Sequence, residues 1–238
     1  MNIIELKNRA RRINRDSRPS VFTAGLIYFL IIAVFSFLSS RLLTTSADQA
    51  ALEKAYTMIQ NGQYYQANDF LAGFMPSGKN TAVDFLIQLA TAILRAGFII
   101  FIINTVRNQA PCFGNLLDGF AICGRVILLY IMESIVIFLW SLLLLFPGLI
   151  AFYQYRLAIY LLIDNPDMSV FECMRKSREM MKGHKGELFS LDMSMLGWFL
   201  LAGILPPAQI YTEPYTKTVY TLYYQELAGI VDYFDAFN

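Results

Sequence analysis

The stretch from Gly119 to Ile163 decides the fold: GFAICGRVILLYIMESIVIFLWSLLLLFPGLIAFYQYRLAIYLLI. Its first part, 119–146, is apolar and long enough to cross a hydrocarbon core about 30 Å thick. Pro147 and Gly148 then interrupt the run, and such a pair is typical of a tight break between helices. A second apolar run, 149–163, follows without a loop, so the two runs are predicted to form an antiparallel helical hairpin.

Three more apolar runs flank this hairpin, at 21–43, 82–103 and 188–205. Each is about as long as a membrane helix needs, roughly 17–25 residues. The first run exceeds the apolar region of a cleaved signal peptide, which is about 7–15 residues long. Together with the hairpin, these runs predict five membrane spans.

The tyrosine-rich segment 206–230 leaves two alternatives open. It forms either a sixth, short or broken span, which we favour, or an aromatic helix in the membrane interface. The predicted fold is therefore an all-α transmembrane bundle of five spans with a sixth at 206–230. Residues 21–238 form one transmembrane domain in this interpretation.

The composition agrees with a membrane protein and argues against several other classes. Hydrophobic residues make up 56% and charged residues 16% of the 238 residues, against about 45–50% and about 25% in an ordinary globular chain. A net charge of +1 gives no case for a nucleic-acid partner. Three cysteines and one histidine are too few for a disulfide framework or a multi-histidine metal site. We expect no metal and no cofactor.

Residues 1–20 are predicted to form a basic amphipathic helix on the membrane surface. Ile3, Leu6, Ala10 and Ile13 recur at helical spacing and share one face. A basic helix with such a stripe is typical of a segment lying on anionic lipid; the alternative is a simple positive flank. The bases expected to contact headgroups are Lys7, Arg9, Arg11, Arg12 and Arg15.

The distribution of Lys and Arg predicts a cytoplasmic N-terminus. The 1–20 segment holds six bases, the 104–118 connection one and the 164–187 loop five, whereas the 41–81 segment holds three. Bases in short loops stay on the cytoplasmic side. The loop 164–187 is therefore predicted to be cytoplasmic and the segment 44–81 extracytoplasmic.

Two capping boxes predict helices outside the spans. Ser46 with Gln49 predicts a helix from about Ala47, and Ser169 with Glu172 predicts one from Val170 to Gly183. In the second helix, Phe171, Met174 and Met181 are expected to face an apolar surface. Two interpretations of its bases are possible: they bind phosphate headgroups or an acidic partner, or they are only a positive flank of the neighbouring span. We favour the second. These bases are Arg175, Lys176, Arg178, Lys182 and Lys185.

Much of the chain resembles a bacterial integral-membrane family known as domain of unknown function nine hundred and seventy-five. The similar pieces are FGNLLDGF at 113–120, LLLLFPGLIAFYQYRLAIYLLIDNP at 142–166, SVFECMRKSREMMKGHKGELFSLDMSMLGW at 169–198 and PY at 214–215 followed by YTLYYQEL. The resemblance implies a multi-pass bacterial membrane protein. It implies no activity.

Ionisable residues inside the spans are the candidate functional residues. A charged residue in the bilayer core costs about 2.5–3.5 kcal/mol on insertion scales unless it is paired. Residue counting puts Glu133 and Arg156 on adjacent antiparallel helices and predicts an ion pair, with Arg95 as the alternative partner of Glu133. Arg95, Arg125 and Asp192 are expected in a second cluster. These charges form either a polar path or anion-binding centre, or a structural clamp between helices.

The functional expectation is a non-enzymatic membrane protein that binds or passes a small or lipidic ligand through this polar centre. The first alternative is an interaction or assembly subunit without a path, and the second is a lipid-modifying enzyme. No H-E-x-x-H, G-x-S-x-G or Walker pattern is present, so no catalytic residue is predicted. Expected partners are anionic lipids and either another protein or a second copy. The expected location is a bacterial cytoplasmic membrane.

Overall fold

The computed structural model describes residues 2–43, 46–73, 78–143 and 145–230, and these ranges are helical with short connections. The helices are α1 (Ile3–Asp16), α2 (Val21–Leu43), α3 (Ser46–Gln60), α4 (Tyr64–Gly73), α5 (Gly78–Val106), α6 (Asn115–Asp118), α7 (Cys123–Leu143), α8 (Leu145–Tyr155), α9 (Ala158–Asp164), α10 (Val170–Met180), α11 (Lys185–Ile204) and α12 (Gln209–Ala228). The predicted all-α class is confirmed.

Four helices are long and apolar enough to cross a membrane within the described part of the chain, by length and composition. Their apolar parts are Val21–Leu38, Phe85–Val106, Cys123–Leu142 and Lys185–Ile204. These match four of the predicted spans. The run at 149–163 does not form one long helix, because it is divided between α8 and α9. Residues 206–230 contain α12, which is long enough but more polar than a lipid-facing span.

The chain divides into two compact units. The smaller unit, Leu30–Thr91, contains α3 and α4, which pack on each other through small buried side chains such as Ala51, Ala55 and Ala67. Helix α3 begins at Ser46, where the capping pattern predicts a helix start. The larger unit comprises Met1–Phe29 and Ala92–Asn238. It contains every residue of the candidate site described below.

The core of the larger unit is built around α12. Twelve of its residues, from Thr212 to Gln225, are buried. Helix α11 packs on it, and a ring of aromatic contacts surrounds its first half: Phe22 stacks on Tyr211, and Trp198 lies against both Tyr211 and Tyr215. Since protein covers α12 on several sides, its threonines and all its tyrosines except Tyr211 lie in the protein interior.

Helix α1 uses its apolar stripe against protein, which corrects the expectation that this stripe lies in lipid. Leu6, Ala10 and Ile13 are buried, and α1 packs along α12. Asn14 accepts a hydrogen bond from the Thr218 hydroxyl at 2.7 Å. An apolar stripe is equally complementary to a helix and to lipid, so its periodicity alone does not distinguish the two.

The predicted hairpin is present as the pair α7 and α8, which pack on each other, but the break predicted at Pro147 and Gly148 is wrong because both residues lie within α8. Helix α8 begins at Leu145, so Pro147 lies in its first turn, where a missing N–H group is tolerated. A Cβ atom added at Gly148 would overlap the Ser141 side chain. Glycine is therefore required for α7 and α8 to approach this closely at the turn.

Candidate ligand-binding cavity

A cavity of about 270 Å³ lies between α5, α7, α8, α9 and α12 in the larger unit. Its volume is close to the lower end of the range of small-molecule sites, about 300–1,000 Å³. Apolar side chains supply much of the wall: Ala92, Ala96, Ile99, Val126, Leu129, Ile137, Phe152 and Ile159. The polar lining consists of Arg95, Tyr130, Glu133, Ser134, Tyr155, Arg156, Tyr160, Lys217 and Tyr220.

Arg156 reaches the cavity because the helix is broken where it stands. Helix α8 ends at Tyr155 and α9 begins at Ala158, so Arg156 occupies the connection between them. The Ser177 hydroxyl of α10 donates to the Gln154 carbonyl at 2.8 Å. This bond satisfies an acceptor that the end of a helix leaves free. Irregular backbone inside a membrane bundle is tolerated where protein or a cavity covers it, and broken helices often carry binding sites.

Aromatic rings hold the Arg156 guanidinium. Its Cζ lies 4.9 Å from the ring centroid of Phe152 and 4.7 Å from that of Tyr220. A guanidinium attracts the negative face of an aromatic ring, more strongly where water is excluded. A side-chain hydrogen bond with Tyr220 also uses part of the guanidinium edge, and a planar guanidinium has further N–H donors that can bind a polar partner.

Asp192 lies behind this wall and is held by two tyrosines. Its Oδ1 accepts from the Tyr220 hydroxyl at 2.5 Å and its Oδ2 from the Tyr153 hydroxyl at 3.0 Å. The residue is only 9% exposed. These bonds connect α8, α11 and α12, so Asp192 fixes the Tyr220 ring on which Arg156 stacks.

Lys217 is the cation that sequence reasoning missed. It lines the cavity from α12, and its Nζ lies 3.8 Å from Oε2 of Glu213, one turn earlier on the same helix. The signal was available, because Lys217 is an ionisable residue inside the segment favoured as a sixth span. The high tyrosine content of that segment is instead typical of a helix anchored in the membrane interface.

The structure brings three of the five predicted charged residues together around one cavity: Arg95, Glu133 and Arg156. However, the ion pairs within 4.0 Å among the described residues do not include Glu133 with Arg156. The predicted direct pair is therefore wrong in this structure. Glu133 is 14 residues before Pro147 and Arg156 nine after it, so along antiparallel helices their Cα atoms differ by roughly two turns.

The predicted cluster of Arg95, Arg125 and Asp192 does not form around the cavity. Only Arg95 lines it; Asp192 is bound by tyrosines. Arg125 donates to the backbone carbonyls of Asn165 and Met168 at the end of α9. Depth along a span is readable from sequence, but the direction of a side chain around the helix axis depends on packing.

A second charged contact lies outside the cavity. Arg107 donates through both terminal nitrogens to Asp164, at 2.9 and 2.6 Å, and the Tyr224 hydroxyl donates to the same carboxylate at 2.8 Å. The bidentate geometry is the strong form of this pair. Arg107 is the one base of the 104–118 connection, and its contact joins the end of α5 to α9 and α12.

The bases predicted to contact lipid remain largely accessible. Arg11, Arg12 and Arg15 of α1 are exposed, and so are Arg175, Lys176, Arg178 and Lys182 in the α10 region; Lys185 and Arg9 are partly exposed. Lys7 is an exception, since its Nζ donates to the Ser194 carbonyl at 3.0 Å. Desolvation, and then repulsion from Arg11, lowers the pKa of Lys7.

Helix α10 starts at the predicted capping box, with Ser169 and Glu172 bonded to each other's backbone. The backbone bond from Ser169 lowers the pKa of the exposed Glu172 carboxyl. Met174 and Met181 are buried as predicted, but Phe171 is 63% exposed. The buried face is instead completed by Val170, Cys173 and Ser177, so the expected direction of Phe171 is wrong.

Within the described residues, no group of three His, Cys, Asp or Glu side chains is arranged to hold a metal ion. The four apolar helices and the charged cavity define the class of the molecule, a helical protein of a kind that associates with membranes.

Residues 142–230 match a family model described as "Protein of unknown function (DUF975)". The match confirms the resemblance from the hairpin turn through α12, a region that holds Arg156, Asp192 and Lys217. The motif at 113–120 lies outside the matched residues. No curated protein and no solved structure matches the chain.

Proposed function

We propose that this chain is a multi-pass, non-enzymatic protein of a bacterial cytoplasmic membrane that binds or passes a small or lipidic ligand in the cavity at Arg156. One observation carries the proposal. A broken helix presents an arginine to a cavity whose wall is otherwise largely apolar. Convergent polar groups in an apolar pocket are the usual form of a ligand site.

The proposed topology has six crossings with the N-terminus in the cytoplasm. Helices α8 and α9 together cross once, and α12 crosses as an internal helix. At 1.5 Å per residue, the 20 residues of α12 extend about 30 Å, the thickness of a hydrocarbon core. A lipid-facing helix must be apolar, whereas α12 is largely covered by protein, and its Thr218 and Thr221 hydroxyls are hydrogen-bonded within the protein.

The assembly-subunit alternative is less well supported. If the intramembrane charges served only to clamp helices together, the cations and acids of the cavity would be expected to pair directly. Glu133 and Arg156 instead share the wall of a cavity without a described ion pair between them. The exposed bases of α1 and α10 support contact with anionic headgroups, and binding to a second protein or a second copy is compatible with this role.

A cysteine pair on α7 tests whether the cavity is open to water. Ser134 lines the cavity, whereas its neighbour Ile135 is 46% exposed and does not. The background would carry Cys112→Ser, Cys123→Ser and Cys173→Ala. Because a thiol must ionise to react, a small methanethiosulfonate reagent should modify Ser134→Cys and leave the lipid-facing Ile135→Cys largely unmodified.

Mass spectrometry of the protein in lipid nanodiscs measures the two rates. We expect Ser134→Cys to react at least about tenfold faster. Equal, slow reaction at both positions, also after detergent has removed bound lipid, would mean a dry cavity and would overturn the proposed function in favour of an assembly subunit.

A further inference from the structure

We propose that the ligand of this cavity is an amphipathic anion, a single acyl chain with a carboxylate or phosphate head held by Arg95, Arg156 and Lys217. This inference rests on the proposed function and names its ligand class. It also assigns Lys217 to the binding site.

The arrangement of charge favours an anion. Lys217 lies close enough to Arg95 and Arg156 to be repelled by both. Among the described lining residues the three cations face a single acid, Glu133. Two further acids lie outside the lining and act on the cations from there: Asp192, bonded to tyrosine hydroxyls, acts on Arg156, and Glu213 pairs with Lys217 at 3.8 Å. Like charges brought together at a partly desolvated site are stabilised by a counter-charge placed between them.

The position of Arg156 also favours an anionic head. Its Cζ lies over the rings of Phe152 and Tyr220, and these contacts restrict where the guanidinium can go. A guanidinium edge matches the two oxygens of a carboxylate or phosphate. Tyr220 is itself held by Asp192 at 2.5 Å, so the donor is positioned before a ligand arrives.

The apolar part of the cavity wall favours a head with an acyl chain over a free inorganic anion. Ile99, Leu129, Ile137 and Ile159 line the same cavity as the cations, and a fully solvated ion gains nothing from such a wall. The lining residues that remain exposed come from different helices: Arg95 of α5, Ser134 of α7 and Phe152 of α8. Two of these helices, α5 and α7, are apolar enough to cross a membrane, so the exposed part of the lining borders apolar helices. An acyl chain leaving through it would enter lipid.

Spin-labelled lipids of one chain length test the ligand class. Nanodiscs of phosphatidylcholine carrying the protein would receive a nitroxide-labelled stearate, the corresponding uncharged alcohol, or the corresponding trimethylammonium. The motionally restricted fraction in the electron paramagnetic resonance spectrum gives relative affinities, at a pH where the carboxylate is ionised. We expect the carboxylate to bind about tenfold or more tightly than the alcohol, as one charge-assisted interaction gives.

Three variants and one matched control identify the groups that select the anion. Arg156→Gln should reduce the preference for carboxylate to within about twofold of the alcohol, and Lys217→Gln should weaken it severalfold. If Arg156→Gln does not fold, Arg156→Lys keeps the charge without the planar edge and should bind severalfold more weakly than wild type. Lys54→Gln, which removes an exposed cation in the smaller unit, is the matched control and should change nothing.

Glu133→Gln tests whether the bound head group is an anion or a zwitterion. Because it removes the acid that faces the cations, stearate should bind severalfold more tightly to this variant; weaker binding would overturn the inference. Displacement of the label by millimolar inorganic phosphate would likewise show a site for free anions.

The outcomes separate the two proposals. Equal retention of carboxylate and alcohol, with a reactive Ser134→Cys, would refute the ligand class and leave the proposed function standing. No restricted fraction for any probe, with an unreactive Ser134→Cys, would refute both.

Discussion

Removing the hydroxyl of Tyr220 should destabilise the protein measurably while leaving the ring that stacks on Arg156. In Tyr220→Phe, the buried Asp192 loses the donor at 2.5 Å and keeps only the Tyr153 hydroxyl at 3.0 Å. A hydrogen bond to a charged group contributes about 1.5–3 kcal/mol. We expect the free energy of unfolding to fall by an amount in that range, with a smaller fall for Tyr153→Phe because its bond is longer.

The double variant gives the sharper number. With both hydroxyls gone, a carboxylate that is 9% exposed has lost both tyrosine donors, while the nearby charge of Arg156 remains. Two hydrogen bonds to a charged group contribute about 3–5 kcal/mol together, so the double change should cost at least as much as the two single changes added together. That loss is a large part of a typical stability of about 5–15 kcal/mol.

Unfolding in detergent micelles by increasing mole fractions of dodecyl sulfate, followed by circular dichroism, measures these differences. Tyr65→Phe is the matched control, because Tyr65 is 93% exposed and the same atom is removed. If Tyr220→Phe is no less stable than Tyr65→Phe, Asp192 is hydrated rather than held by the tyrosines, and the explanation of how the Arg156 site is positioned is wrong.

Two further predictions follow from close packing and from cysteine exposure. Gly97→Ala places a Cβ against the backbone of α6 and should destabilise the fold by about 1–3 kcal/mol in the same assay; Gly124→Ala, which meets no atom within 4 Å, should be neutral or stabilising. A membrane-impermeant maleimide should label the exposed Cys112 in inverted vesicles and not in intact cells, because its loop is predicted to be cytoplasmic. Cys173 should react slowly from either side, since burial raises its pKa and lowers its thiolate fraction; fast labelling of Cys112 in intact cells would reverse the topology.

Local patterns in the sequence were sufficient to predict features that depend on a single helix. The apolar runs at 21–43, 82–103 and 188–205 correspond to α2, α5 and α11, because a membrane helix satisfies its own backbone and needs only length and apolar side chains. The capping box at Ser169 starts α10 because its bonds join residues three apart.

Local patterns were insufficient to predict features that depend on how one helix packs on another. The stripe of α1 is visible in the sequence, but only tertiary packing assigns it to α12 instead of lipid. The break at Arg156 is not a Pro or Gly position, so no local signal marks it; the Ser177 hydroxyl that satisfies the end of α8 comes from 23 residues away.

The residue pattern alone was therefore enough to predict a helical chain and to find the runs apolar enough to span a membrane. It also marked Arg95, Glu133 and Arg156 as unusual within such runs. The folded structure was needed to show that these three residues and Lys217 line one cavity. It was also needed to show that Asp192 accepts hydrogen bonds from Tyr153 and Tyr220, and that Arg125 donates to backbone carbonyls. The physical reason is geometric. Spacing along a helix sets the depth of a side chain, whereas its partner depends on the rotation and approach of neighbouring helices, which packing of the whole unit determines.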